Sequence, residues 1–148
     1  MGYPTYGPPS AQNAANYQRI KIETATPEAL ILMLYDGALK FMNQAELAFE
    51  QNNIEQINKY LLKVQAIFTE LQCSLNREQG GEIAANLERL YVFFNGKLAE
   101  ANIKKDVNLM LEIKPMVKNL RDTWEVAMQK HQTIQKMVPA GPRISFSA

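Results

Sequence analysis

Residues 53–76 read NIEQINKYLLKVQAIFTELQCSLN, and the spacing of their apolar side chains decides the fold. Ile57, Leu61, Val64, Phe68, Leu71 and Leu75 recur every three or four residues, which makes one face of an α-helix and not the alternation of a strand. Asn53 precedes them as a helix cap, with Gln56 three residues on as its capping-box partner. The opposite face carries a second row: Leu62, Ala66, Thr69 and Cys73. A helix packed against a single layer does not need that row.

The same period extends in both directions. Thr26-Pro27-Glu28 starts a helix with a hydroxyl cap, a proline in the first turn and an acid at the positive dipole end. That helix runs to about Glu50, and the one capped by Asn53 runs to about Asn76. Gly80-Gly81 breaks the chain, and a third helix follows from about Glu82 to Ile103. Asp106 caps a fourth, from Val107 to at least Met128. Each has about 22 residues, roughly 33 Å at 1.5 Å per residue. Equal lengths and short joints predict an all-α chain, an antiparallel up-down four-helix bundle. Leu30, Leu34, Phe41, Ala45 and Ala48 are expected to face the core from the first helix. Leu87, Tyr91, Phe94, Leu98 and Ala101 do so from the third, and Met110, Ile113, Val117, Leu120 and Trp124 from the fourth. Pro115 lacks an N–H and is expected to kink the fourth helix or split off its first turns. Gly37 sits beside the main stripe, where close helix packing explains it.

At 148 residues the chain suits one domain. Its prolines cluster at the ends, and no charged residue precedes Arg19. Residues 1–16 therefore read as a flexible arm, 17–137 as the helical domain and 138–148 as a loose tail. Sixteen basic against fifteen acidic residues give a net charge of +1, which argues against a nucleic-acid partner. The longest strictly apolar run, Ala29 to Tyr35, is far too short for membrane insertion. With one Cys, no internal disulfide forms; no basic, then apolar leader opens the chain, so a cytoplasmic protein is expected. One His, no Glu-x-x-His pair and no phosphate-binding glycine loop leave an enzyme little to work with, and no cofactor or metal is expected.

The outward apolar residues carry the functional question. Leu32, Tyr35 and Leu39 fall off the first core stripe, Val92 and Phe93 off the third, and Leu111 and Val126 off the fourth. Scattered surface apolars are ordinary. One contiguous groove, taking in Leu32, Tyr35, Leu39, Leu62, Ala66 and Cys73, is the other reading, since large exposed patches mark partner sites. Just ahead of the first helix, Tyr17, Ile20 and Ile22 make either a removable lid over such a groove or a staple that sets the entry of that helix.

Thr24-Ala25-Thr26-Pro27-Glu28, leading into Leu32-Met33-Leu34-Tyr35-Asp36-Gly37-Ala38, resembles the opening of the FliS family of flagellar export chaperones. The likeness continues through Gly80-Gly81-Glu82-Ile83-Ala84-Ala85-Asn86-Leu87, Leu90-Tyr91, Glu100-Ala101-Asn102 and Leu120-Arg121-Asp122-Thr123-Trp124. It covers about Tyr17 to Met128; Pro115 and Gly96 depart from its pattern. The resemblance implies a cytosolic chaperone. Its client would be the disordered carboxy-terminal segment of flagellin, kept unpolymerised until the type III export gate. A co-chaperone or an anti-sigma factor is a further partner to consider. Tyr17 and Ile22 match the family's lid segment by position. An adaptor that binds a folded partner is the alternative that exposed apolar stripes suit equally well.

Overall fold

Thr26 adopts an extended conformation, and its Oγ1 accepts the Ala29 N–H at 3.1 Å, so the helix that follows begins at Pro27. Such local signals divide the computed structural model into five helices, described over residues 11–137 and, for side chains, 13–131. They are α1 (Ala11–Thr24), α2 (Pro27–Glu50), α3 (Ile54–Cys73), α4 (Arg77–Lys104) and α5 (Val107–Met137). No strand occurs among the described residues. Asn53 caps α3 by accepting the Gln56 N–H at 3.1 Å, and Asn76 caps α4 by accepting that of Gln79 at 3.0 Å. Asp106 accepts the Asn108 N–H at 3.0 Å as α5 starts.

The Gly80-Gly81 break is a kink inside α4 and not its beginning. Gly81 has φ 51° and ψ −126°, a conformation that side chains resist. A Cβ on Gly80 would lie 2.7 Å from that of Ala84, so both glycines are required. The Asn76 cap places one extra turn ahead of them. Gly37 has a different reason: a Cβ there would meet Ile67 Cδ1 at 3.2 Å, at the close approach of α2 and α3.

Two further expectations change. Residues 11–16, read as arm, are the first turns of α1. The prolines behind that reading all precede residue 10, and AQNAANYQ that follows has no helix breaker. Residues 1–10 and the 138–148 tail lie outside the described residues. Of the two effects expected of Pro115, a split does not occur, since α5 continues through it. The proline is solvent-exposed, so the carbonyl its missing N–H leaves behind need not be buried.

Side-chain contacts set the packing. Gly37 against Ile67 and Phe41 against Tyr60 run α2 antiparallel to α3. Asn58–Asn102 and Thr69–Asn95 do the same for α3 and α4, and Asp36–Arg121 and Glu46–Lys114 for α2 and α5. α2 and α4 each pack on both α3 and α5, closing a ring around one core. α1 lies outside the ring. The α3 seam is buried at all six expected positions, and each such residue contributes about 1.5–3 kcal/mol by leaving water. On α2 the seam is Ile31, Tyr35, Ala38, Met42, Ala45 and Ala48, shifted by one residue from the expected Leu30, Leu34 and Phe41, which are only partly buried. Ala29 to Tyr35 is apolar throughout, so nothing polar marks which side faces out.

Candidate protein-binding surfaces

The outward row of α3 is held beside α4 by two side-chain hydrogen bonds. Asn102 donates to Asn58 at 2.9 Å and Asn95 donates to Thr69 at 3.3 Å. Between these two ties, Leu62 and Ala66 lie opposite the stretch of α4 that contains Gly96 and Ala99. Leu62 is 50% exposed, Ala66 is exposed and Gly96 has open space above it. Val92, 54% exposed, extends the apolar surface on α4. Cys73, also exposed, ends the row on α3. Just beyond it Arg77 pairs with Glu88 at 2.7 Å, which holds the Glu88 carboxyl below the usual carboxylate range. The result is a shallow surface with apolar edges and a floor of small residues, closed at one end by charge.

Leu32 and Leu39 belong to a different surface. Leu39 lines a cleft of about 330 Å³ between α2 and α5, with Leu111, Pro115 and the stems of Lys114 and Lys118. Leu32 is partly buried two helical turns before Leu39, seven residues back. In a ring ordered α2, α3, α4, α5, this cleft lies across the molecule from the α3/α4 surface. The six expected groove residues therefore do not form one contiguous groove.

Tyr35 leaves the candidate set altogether. It is 2% exposed, and its hydroxyl meets that of Tyr91 at 2.5 Å inside the core. The one-residue shift of the α2 seam turns it inward. Burial raises the pKa of both phenols above their ordinary value, so both stay neutral at physiological pH.

Tyr17, Ile20 and Ile22 stand on α1, each more than half exposed, and cover neither surface in this conformation. The extended Ala25-Thr26 joint that links α1 to α2 places them at the end of the ring where α2 starts.

Contacts between two distant blocks escaped the sequence reading. Arg121 Nε bonds Asp36 at 2.7 Å, and its other nitrogens reach Asp122 and Glu125. Trp124 donates its indole N–H to the Glu28 carbonyl at 2.9 Å and tilts against Tyr35. His131 lies 3.4 Å from the Glu28 carboxylate. These links pin α5 to the first turns of α2. The sequence separation is 85 residues between Asp36 and Arg121, and no local pattern signals it. Among the described residues no group of three or more His, Cys, Asp and Glu is placed to hold a metal ion, and no helix is long and apolar enough to cross a membrane.

A family model described as flagellar protein FliS matches residues 10–131. The flagellar secretion chaperone FliS of Bacillus subtilis is 39% identical over 116 residues, covering 78% of this chain and 86% of that protein. That of Salmonella typhimurium is 31% identical, covering 78% and 90%, and that of Escherichia coli is 30% identical, covering 87% and 98%. The match spans α1 to α4 entirely and most of α5, including the outward α3 row and the Asp36–Arg121 tie. The chain belongs to the FliS family of flagellar secretion chaperones.

Proposed function

We propose that this protein is a cytoplasmic flagellar secretion chaperone whose client is the disordered carboxy-terminal segment of flagellin. It holds that segment unpolymerised and export-competent until the type III export gate takes it. The reading rests on one observation above all: a half-exposed apolar row, Leu62–Ala66–Cys73, on a helix whose other face is fully buried. A polymerisation segment is amphipathic, and its apolar side enters such a surface in the helix-in-groove mode. Ordering a disordered client costs conformational entropy, so a large contact area is needed for useful affinity. The α2/α5 cleft, with Leu32 and Leu39, offers the client a second contact across the bundle. We assign α1 the role of a movable lid: Tyr17, Ile20 and Ile22, exposed in the conformation described above, fold onto client-binding surface in the empty chaperone and leave it when client is loaded.

Co-purification tests this directly. The tagged chain is expected to recover flagellin one to one from a lysate and to lose it when flagellin lacks its last segment. Retention of the truncated flagellin contradicts the proposal. The adaptor alternative is separated by circular dichroism, because a disordered client gains helix on mixing and a folded partner does not.

A further inference from the structure

A third face has features that the α3/α4 surface and the α2/α5 cleft do not share. Between the ends of α2 and α3, Gln44, Leu47, Ala48, Gln51, Gln56 and Tyr60 line an open cleft of about 230 Å³. It is small for a drug-sized ligand but suits one or two side chains of a docked segment. Leu47 on its edge is 52% exposed. The Gln44 side-chain oxygen is buried with no hydrogen-bond partner among the described residues. A buried acceptor left unmatched is costly, and a donor from a partner would relieve it.

The wall above the cleft is aromatic and basic. Phe41 and Tyr60 stack with centroids 6.2 Å apart. Lys63 Nζ lies 5.1 Å from the centre of the Phe41 ring, and Lys59 Nζ lies 5.3 Å from that of Tyr60. Neither ammonium joins an ion pair among the described residues, whereas Lys97, Lys104 and Lys114 each hold a carboxylate. Glu55, four residues ahead of Lys59, does not pair with it. Two lysines held over rings beside an apolar notch and a spare acceptor complement carboxylates flanking an apolar side chain.

We propose that this α2/α3 face docks an acidic amphipathic segment of a second protein partner. An apolar side chain of that segment fills the notch beside Leu47 and Ala48. Its carboxylates meet Lys59 and Lys63, and a donor reaches Gln44. The site shares no lining residue with the α3 row or the α2/α5 cleft proposed for the client. A nucleic acid would also meet the lysines, but it has no use for the apolar notch.

Two synthetic peptides test the site on the full-length chain by NMR titration. Each has eighteen residues with leucine at i, i+3, i+4 and i+7 spacing; the rest are glutamates in one and lysines in the other. The glutamate peptide is expected to shift the Gln44 side-chain amide and the Leu47 and Tyr60 signals, and the lysine peptide to leave them unmoved. Lys59→Glu with Lys63→Glu should weaken the glutamate peptide by about tenfold or more. Gln44→Leu should weaken it by about threefold to tenfold, the worth of one hydrogen bond. Leu62→Glu should leave this binding unchanged while it impairs flagellin capture, which separates the two sites. Equal affinity for both peptides, shifts confined to the α3/α4 surface, or stronger shifts from a single-stranded oligonucleotide at the same signals would overturn the proposal.

Discussion

Two tyrosine hydroxyls, on Tyr35 and Tyr91, meet in the core and are each other's partner. Tyr35→Phe leaves the Tyr91 hydroxyl buried and unmatched, at a cost of about 1–3 kcal/mol. Tyr35→Phe with Tyr91→Phe removes both groups and should cost less than the sum of the two single changes, as a double-mutant cycle of chemical denaturation would measure. The same pair sets an alkaline limit. Burial raises both phenol pKa values above the ordinary value of 10.0, so above that pH the unfolded chain releases protons that the folded chain keeps. Their contribution is complete below about pH 10 and is lost as the pH rises toward the folded-state values. Stability measured from pH 9 to 11 should fall, and should fall less in the double phenylalanine variant. On α3, adjacent residues have opposite roles. Leu62→Glu or Cys73→Glu places a charge where water already reaches and should weaken client binding with little change in melting temperature. Val64→Glu or Leu71→Glu buries an unpaired charge at fully enclosed positions and should cost several kcal/mol, enough to unfold the domain. Equal unfolding by both classes would make the outer row ordinary core.

The helices differ in how openly their sequences declare them. α3 alternates apolar and polar residues at helical spacing along its length, so its cap, its seam and its exposed row are all legible. α2 carries seven consecutive apolar residues and loses its phase there, which misplaces Tyr35 while Leu32 and Leu39 stay partly outward. α1 has too weak a stripe to separate it from an arm, and the lid role proposed for it rests on which apolar residues it exposes. Tyr17→Ala should therefore change client affinity more than melting temperature; the opposite outcome would favour a staple. Within α4 the glycines divide by environment. Gly81→Ala forces a side chain into a positive-φ conformation outside the left-handed helical region and should destabilise by about 1–3 kcal/mol. Gly96→Ala enters open space in a helix and should stabilise by about 1 kcal/mol in thermal unfolding. If Gly96→Ala also weakens client capture, the small-residue floor beside Leu62 is part of the contact.

At the scale of the molecule, the ring of α2 to α5 hides one face of each helix and leaves apolar residues on several outer faces. The helical class and the α2/α3 and α4/α5 joints follow from caps at Asn53 and Asp106, whereas the Gly80-Gly81 pair puts the α3/α4 joint a turn too late, because Asn76 caps α4 ahead of it. The division of the outer residues among separate faces does not, because it depends on which helices become neighbours. The ties that decide this, Asp36–Arg121 and Asn58–Asn102, join residues far apart in sequence. Excess apolar surface distributed around a rigid core is what a wrapped, disordered client requires. Hydrogen exchange of the full-length chain, with and without a peptide of flagellin's carboxy-terminal segment, tests that claim most directly. Slowed exchange is expected along α3 from Leu62 to Cys73 and along the facing stretch of α4 near Val92 and Gly96. Unchanged exchange on both stretches while the peptide is bound would contradict it.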